Sequence, residues 1–344
     1  MKFAHAISIE SVASWLPSTS QSAESAIAGG RISSEEAAES GIIELPVAPD
    51  DLPAPDMAVL AARRALESAG RASGALDLIA HAWIYHQGHD FWSPAHYVAN
   101  QLGADHAVPV GIQQMCNGGA AALETVAARL LADESVGTAL VTTADAFRDD
   151  GFDRWRGDYG VWYGDGATAI LVHRREPGPA ALRLLALVTS AAADMESMHR
   201  GRDPFSPTPG WHGPRVNVRR TKKAFIEETG LDGFYAAAHE KLREVILTGL
   251  NDAGIPVDDQ RIRCLALPRV GDSVLAGTYY PAVVGLTKAE ILNLGRHTGH
   301  LGAGDLAANL ADITDTGMLA PGQVAVVVSA GAGFTFSCAV VAAP

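Results

Sequence analysis

The sequence is poor in cysteine, in charged residues and in cations. Its 344 residues include 3 cysteines, which form neither a CxxC motif nor paired spacings, so we expect neither a disulfide scaffold nor a metal site. Lys and Arg number 26 against 39 Asp and Glu, a formal net charge of -13. Nucleic acids and anionic membranes both reward clustered cations, so neither is an expected partner. A reducing cytoplasm is the expected compartment.

The sequence also has no uninterrupted hydrophobic run at either end. Ser8, Glu10 and Ser11 interrupt the apolar N-terminal stretch, which therefore lacks the continuous core of a signal peptide. Residues 324–344 carry no charged side chain, but the glycines of 331–333 divide them into two β-branched runs. This pattern predicts two buried strands joined by a tight turn, and no membrane helix.

Hydrophobic residues make up 48% of the chain and charged residues 19%, enough for a large core and two structural units. Strand-like apolar runs alternate with amphipathic helical patterns, which predicts a layered α/β fold. A charged and then Pro-rich connection divides the chain into residues 1–176 and 177–344. The predicted strands are 76–84, 108–113, 138–143, 167–172, 181–189, 263–267, 324–329 and 334–341. The predicted helices are 58–69, 95–102, 120–132, 234–253 and 305–313.

Cys116 stands where a predicted strand gives way to Asn117, two glycines and a helix of small residues. Backbone N–H groups at a helix start favour a thiolate, so we interpret Cys116 as a reactive nucleophile. The alternative is a buried cysteine that acts as a small hydrophobic side chain. We keep that interpretation for Cys264 and Cys338, which lie inside apolar runs.

Three motifs together resemble the ketoacyl synthase III branch of the thiolase superfamily, in the family's order and spacing. They are QQMCNGG at 113–119, YGDGATA at 163–169 and GAGFT at 331–335. The resemblance implies a five-layer αβαβα sandwich built from two duplicated βαβαβαββ halves, usually as a homodimer. It also implies acyl-CoA, or the phosphopantetheine arm of an acyl carrier protein, as donor substrate, with no permanently bound cofactor.

Two departures from the family pattern affect the expected chemistry. Typical members use a His and an Asn to hold a malonyl thioester as it decarboxylates. The His segment corresponds to LPRVGD at 267–272, which has no histidine, and the Asn position is occupied by His300 in TGHLGAGD at 298–305. The pattern resembles the ketosynthase-III-like acyltransferases of antibiotic biosynthesis, a group that includes the cervimycin malonyltransferase.

The resemblance implies a Cys116–His300–Asp305 set in which His300 is the base and Asp305 orients it. Asp305 can equally be a helix N-cap, and His297 is an alternative base three residues before His300. The N–H groups of Cys116 and Ala332 are the expected oxyanion hole. Asp165, in the second motif, is expected to have a structural role.

A basic rim is expected to bind the donor, with a solvated charged face as the alternative. The candidates are Arg154, Arg156, Arg215, Arg219, Arg220, Lys222 and Lys223. Arg269 is a candidate partner for a free carboxylate on the substrate, such as that of a malonyl group. Residues 194–218, rich in Gly, Pro, His and Trp, are expected to shape the substrate entrance; the alternative is a surface excursion without a role.

These residues predict a cytoplasmic acyltransferase that forms an ester or amide without decarboxylation. The acyl group, with malonyl as one candidate, passes from CoA or carrier protein through Cys116 to a small-molecule acceptor, a hydroxyl or amine of a sugar or natural product. Two alternatives stay open: a decarboxylating ketoacyl synthase III that forms a C–C bond, and a non-catalytic subunit that binds an acyl carrier protein.

Overall fold

A computed structural model describes residues 2–178 and 181–344. The strands are β1 Lys2–Trp15, β2 Ser20–Ser22, β3 Glu44–Pro46, β4 Leu78–Ala82, β5 Val108–Ile112, β6 Thr138–Asp145, β7 Gly166–His173, β8 Leu182–Ala191, β9 Ile262–Ala266, β10 Glu290–Leu292, β11 Val324–Gly331 and β12 Thr335–Ala342. The helices are α1 Ala23–Ala28, α2 Ser34–Ser40, α3 Ala54–Ser68, α4 Pro94–Leu102, α5 Gly118–Ala132, α6 Ser197–Arg200, α7 Val218–Thr229, α8 Asp232–Asp252, α9 Asp272–Val274, α10 Tyr280–Val283 and α11 Asp305–Asp315.

The main sheet repeats one arrangement of five strands. Its order is β10-β9-β11-β12-β8-β1-β7-β6-β4-β5. β1 and β8 join the halves as an antiparallel pair at the centre of the sheet. Counting outward from the centre, the first two pairings of each half are antiparallel and the next two are parallel. This order agrees with the predicted duplication. The boundary at 176/177 itself stays a prediction.

Helices lie in three layers around the two half-sheets. Side chains of α5 and α11 share one buried core with strands from both halves, so these two helices form the central layer. Helices α3 and α4 cover the outer face of the first half, and α8 with α10 covers the outer face of the second. The five-layer αβαβα architecture predicted from the sequence is confirmed.

The sequence pattern did not predict strand β1 and helix α7, nor several short elements of three to seven residues. Strand β1 lies in the middle of the sheet, so Ile7, Ser8 and Ile9 are buried in succession. Ser11 is tolerated there because its hydroxyl donates to the Ala65 carbonyl at 2.7 Å. Helix α7 follows the loop 194–218, and Asn217 caps it by accepting from the Arg220 N–H at 3.1 Å.

The predicted roles of several other segments can be compared with the fold. Cys264 and Cys338 are fully buried in β9 and β12, as expected. The start of the loop 194–218, including α6, lines the main cavity, whereas Trp211 is exposed at the surface. In the described ranges, no helix is long and apolar enough to cross a lipid bilayer.

Candidate active site

Cys116 lies in a tight turn between β5 and α5. The turn is a single 3₁₀ segment, Met115–Asn117, and Met115 has a φ of 49°, a left-handed conformation that side chains rarely adopt. Cys116 lines a cavity of about 500 Å³. Asn117 is buried and its amide donates to the Ser337 hydroxyl at 2.8 Å, which ties the turn to β12. The turn thus presents the thiol to the cavity from a rigid support.

Glycines allow the first and third sequence motifs and the segment 298–305 to meet at this turn. A Cβ at Gly119 would lie 2.5 Å from the Ala303 carbonyl oxygen, and one at Gly331 would lie 2.4 Å from the Asn117 nitrogen. A Cβ on Gly331 would also lie 3.1 Å from the Cys116 nitrogen. The two contacts at 2.4 and 2.5 Å are too short for any side chain, and the third is tight, so the segments before α5 and α11 and the end of β11 pack backbone against backbone.

His300 and Asp305 form a buried pair beside Cys116. His300 Nδ1 lies 2.7 Å from Asp305 Oδ2, and both side chains are almost completely buried. Cys116 lines the same cavity as His300 and also contributes to its raised pKa. The three side chains therefore meet at one site, the arrangement expected from the sequence.

The electrostatics of this set favour an ion pair. Burial lowers the pKa of His300, but the Asp305 carboxylate and the charge of Cys116 outweigh it and raise that pKa well above its usual value. Burial raises the pKa of Asp305, and the His300 charge with its hydrogen bond outweighs this and lowers it. A protonated His300 paired with the Asp305 carboxylate is thus the favoured arrangement.

Asp305 holds the loop around His300 as well as its ring. Its Oδ1 accepts from the Leu301 N–H at 2.9 Å, and its Oδ2 accepts from the Arg269 N–H at 2.8 Å. Gly304 occupies the N-cap position of α11, and no side chain caps that helix. The N-cap alternative for Asp305 is therefore wrong.

The alternative base, His297, lies away from the cavity. Its side chain is 64% exposed and its Nδ1 lies 3.1 Å from Glu44 Oε1. The backbone of His300, in contrast, is fixed beside the second motif: its N–H donates to the Trp162 carbonyl at 2.8 Å, and its carbonyl accepts from the Gly164 N–H at 3.0 Å. Only one of the two candidate histidines faces Cys116.

Ala332 lies in the turn between β11 and β12 and lines the same cavity as Cys116. Gly331 brings this turn against the Cys116 backbone, as its close approach to the Cys116 nitrogen shows. The structure thus places both backbone groups expected for an oxyanion hole at one wall of the cavity.

Arg269 does not face the cavity. Its guanidinium is buried and donates to Asn309 Oδ1 at 3.0 Å, to Thr298 Oγ1 at 3.1 Å and to the Leu294 carbonyl at 3.2 Å, with Asp312 as its ion-pair partner. The expected contact with a substrate carboxylate is therefore corrected: these partners already use the guanidinium, and it supports the Asp305 loop from behind.

Arg154 is likewise structural and does not belong to a basic rim. It is 3% exposed, and both ends of its guanidinium lie 3.1 Å from the carboxylate of the buried Asp165. Asp165 also accepts from the Ala48 and Phe147 N–H groups at 2.8 Å, which agrees with its expected structural role. A buried pair of this kind fixes the loop that precedes β7.

Four of the remaining basic candidates lie close together. Arg156, Arg219, Arg220 and Lys223 line a second, open cleft that shares Arg219 with the main cavity. The exposed Arg215 lines neither space. Four of the expected rim residues are thus together at the mouth of the cavity.

Several residues at the cavity were not singled out from the sequence. Tyr163 packs edge-on against the His300 ring at a centroid distance of 5.2 Å, and its hydroxyl donates to Asp158 at 3.1 Å. His199 and Tyr279 also line the cavity. Tyr163 belongs to the second motif, which could have identified it; His199 and Tyr279 carry no sequence signal. No cluster of metal-ligating side chains occurs within residues 2–178 and 181–344.

Comparison with known proteins identifies the family. Residues 110–191 match the family 3-oxoacyl-[acyl-carrier-protein (ACP)] synthase III, and residues 262–343 match the family described as its C terminal part. A β-ketoacyl-[acyl-carrier-protein] synthase III of Desulfitobacterium hafniense (strain Y51) is 28% identical over 305 residues, 88% of this chain and 86% of that protein.

Two solved structures resemble the chain over its length. ChlB3, an acyltransferase, is 34% identical with a TM-score of 0.88, covering 98% of both chains. The 3-oxoacyl-(acyl carrier protein) synthase III FabH of Pseudomonas aeruginosa PAO1 has a TM-score of 0.77, 98% coverage of both chains and 19% identity, a likeness that shows the fold alone.

The fold and these matches define an acyl-transferring enzyme of the thiolase superfamily. The chain belongs to the 3-oxoacyl-[acyl-carrier-protein] synthase III-like family, whose members include acyltransferases as well as condensing enzymes.

Proposed function

We propose that the protein transfers an acyl group from acyl-CoA or an acyl carrier protein, through a thioester on Cys116, to a hydroxyl or amine of a small-molecule acceptor. The acceptor class is a sugar or another natural product, and the acyl group arrives without decarboxylation. The observation that carries the proposal is the buried His300 between Cys116 and the Asp305 carboxylate. The acyltransferase ChlB3, 34% identical to this chain, supports the same reaction type.

The proposed first half-reaction starts from a Cys116 thiolate beside a protonated His300. The Cys116 thiolate attacks the thioester carbonyl, and the N–H groups of Cys116 and Ala332 stabilise the oxyanion that develops. The C–S bond of the donor then breaks, and the leaving thiolate takes the proton from His300. The products are acyl-Cys116, free carrier thiol and a neutral imidazole.

The second half-reaction needs that neutral imidazole. Acylation removes the negative charge of Cys116, one of the causes that raise the pKa of His300, so the ring becomes an available base. His300 accepts the proton of the acceptor hydroxyl as its oxygen attacks the acyl carbonyl, while Asp305 stabilises the imidazolium. Collapse expels the Cys116 thiolate, which restores the ion pair.

Decarboxylative condensation needs different groups. An enolate would require hydrogen-bond donors aimed at the oxygen of a malonyl thioester, and no histidine lies in 267–272. His300 is hydrogen bonded to Asp305, whose charge raises the pKa of the imidazole. These features favour transfer to oxygen or nitrogen, and the intact catalytic set argues against a non-catalytic subunit.

Donor binding is assigned to the cationic cleft beside the cavity. Arg156, Arg219, Arg220 and Lys223 line it and suit the phosphates of CoA or the acidic surface of a carrier protein. We also propose a homodimer that resides in the cytoplasm. Strand β5 is a sheet edge with Val108 57% exposed, and such an edge favours pairing with a second copy; sedimentation as a monomer at micromolar concentration would contradict this.

The proposal predicts a covalent intermediate on one residue. Incubation with an acyl-CoA donor and no acceptor should add one acyl mass, located by peptide mapping at Cys116, and Cys116→Ala should gain none. Cys338→Ala is the matched control, because that thiol is fully buried in β12, and it should load like the wild type. Loading of Cys116→Ala at the wild-type rate would show that the nucleophile is another residue.

A further inference from the structure

The cavity in front of Cys116 carries more acids than cations. The lining carboxylates are Glu36, Glu39 and Asp158, and the lining cations are Arg219 and Lys222. Lys222 Nζ lies 2.6 Å from Asp158 Oδ1, and Arg219 Nη1 lies 3.4 Å from Glu36 Oε1. Across the described part of the lining, each cation thus has an acid partner and one carboxylate is left in excess.

The Lys222–Asp158 pair is enclosed by the protein. The Asp158 side chain is 2% exposed, and it also accepts from the Tyr163 hydroxyl at 3.1 Å and the Tyr159 N–H at 2.7 Å. The Arg219 guanidinium donates to the Asp158 carbonyl at 2.7 Å and lies over the Tyr159 ring, 5.1 Å from its centroid. A second carboxylate placed here would be repelled by Asp158, and Lys222 is already paired with that acid.

The catalytic residues add no net positive charge to the cavity. The Asp305 carboxylate balances the positive charge that it favours on His300. Arg269, the cation expected to meet a substrate carboxylate, lies outside this lining with its guanidinium already paired. The site therefore offers no compensating charge to an acidic acyl group.

Another part of the cavity lining is aromatic and includes a neutral histidine. The aromatic rings of Phe334, Phe234 and Phe336 lie together there, with the Phe334 and Phe234 centroids 5.0 Å apart. His199 packs on Phe334 at 5.3 Å, and its Nδ1 is buried without a hydrogen-bond partner in the described structure. Burial and then Lys222 lower the pKa of His199 to about 4, so the ring is neutral near pH 7.

We infer that the acyl group received by Cys116 is uncharged and largely apolar, and that the cavity selects against donors that end in a free carboxylate, such as malonyl and succinyl thioesters. A carboxylate there would lose its water and face like charges, whereas an apolar chain gains contact with the aromatic wall. The inference rests on the proposed acyl-Cys116 intermediate and concerns only which donor forms it.

The test compares one neutral donor with two acidic donors in the loading half-reaction, with no acceptor present; butyryl and succinyl are matched in chain length. The rate of mass gain on the wild-type protein is measured with butyryl-CoA, succinyl-CoA and malonyl-CoA. We expect butyryl to load roughly a hundredfold faster than either acidic donor, since like-charge contacts cost several kcal/mol and 1.4 kcal/mol is tenfold. Equal or faster loading by succinyl or malonyl would overturn the inference.

A charge-removing variant tests the cause of the selection. Asp158→Asn frees Lys222 inside the cavity, so loading by succinyl relative to butyryl should rise by about tenfold or more. Asp203→Asn is the matched control: its partner Arg220 lies outside this cavity, and the ratio should not change. An unchanged ratio in Asp158→Asn would contradict the inference, and the wild-type comparison decides it if that variant does not fold.

The outcomes separate this inference from the proposed function. Loading by butyryl without later transfer to any hydroxyl or amine would contradict the proposed function and leave the inference supported. Loading preferred by an acidic donor would contradict the inference alone. Failure of all three donors to load would contradict both.

Discussion

At the scale of single residues, the Asp305 carboxylate has two functions that a substitution can separate. It orients the His300 ring through Nδ1 and holds the Leu301 and Arg269 backbone groups. Asp305→Asn keeps the size of the side chain but removes the charge that raises the pKa of His300. We expect turnover to fall by roughly ten- to ten-thousand-fold, the range spanned by loss of an orienting carboxylate.

Two histidine variants give the lower and upper limits of turnover against which Asp305→Asn is compared. His300→Ala should abolish transfer, whereas His297→Ala should retain most of it, since its ring is exposed and pairs with Glu44. Transfer rates are measured under saturating donor, with circular dichroism to check folding. Wild-type turnover in Asp305→Asn would reduce Asp305 to a loop anchor, and loss of activity in His297→Ala would reverse the assignment of the base.

The sequence indicated the reactive residues better than the binding residues. Cys116, His300 and Asp305 stand in motifs whose order and spacing are specific, and the structure brings them together. Arg154 and Arg269 could not be judged in the same way. Their roles depend on Asp165 and Asp312, acids distant in sequence or on another element, and no local pattern shows that a guanidinium will be buried against them.

At the scale of elements, the turn Gly302–Gly304 sets the spacing between His300 and α11. Gly302 has a φ of +61°, and a Cβ there would lie 2.1 Å from Asp145 Oδ2. Asp145 is buried at the end of β6 and accepts from the Ala303 N–H at 3.1 Å. The turn is thus held against the first half of the chain while its other end carries the catalytic pair.

This close packing predicts an unequal pair of glycine variants. Gly317 has nearly the same φ, +60°, with nothing within 4 Å of a Cβ, so Gly317→Ala should cost only about 1–2 kcal/mol for the left-handed conformation. Gly302→Ala should cost a further 1–3 kcal/mol or so from overpacking, and should lower transfer because the His300 loop moves. Denaturant unfolding and turnover measure both effects; equal stability of the two variants would contradict the contact.

Regular elements were predicted well where a pattern had a clear period. Helices α3, α5 and α8 and strands β6, β7 and β11 occur within a few residues of the predicted ranges. Strand β1 was missed because polar residues such as Ser8 interrupt its apolar run although they are buried, and α7 was missed because it follows a long irregular loop. Tertiary burial, which a local pattern does not contain, determined both elements.

At the scale of the whole molecule, the duplicated fold takes the catalytic residues from both halves of the chain. Cys116 lies in the turn just before α5 in the first half, and Asp305 begins α11 in the second. Both helices lie in the shared central layer, so their starts meet at one cavity. The site therefore exists only when both halves are packed together.

The most direct test of the central claim follows the fate of a loaded acyl group. The protein is loaded with a labelled butyryl group on Cys116 and divided between a panel of hydroxyl and amine acceptors and a carboxyl-labelled malonyl thioester. The account predicts that butyryl label moves from Cys116 to an ester or amide with the acyl group intact, and that the malonyl sample releases no labelled carbon dioxide in step with product. Labelled carbon dioxide released together with a butyryl-extended ketide would contradict the account and identify the protein as a condensing enzyme.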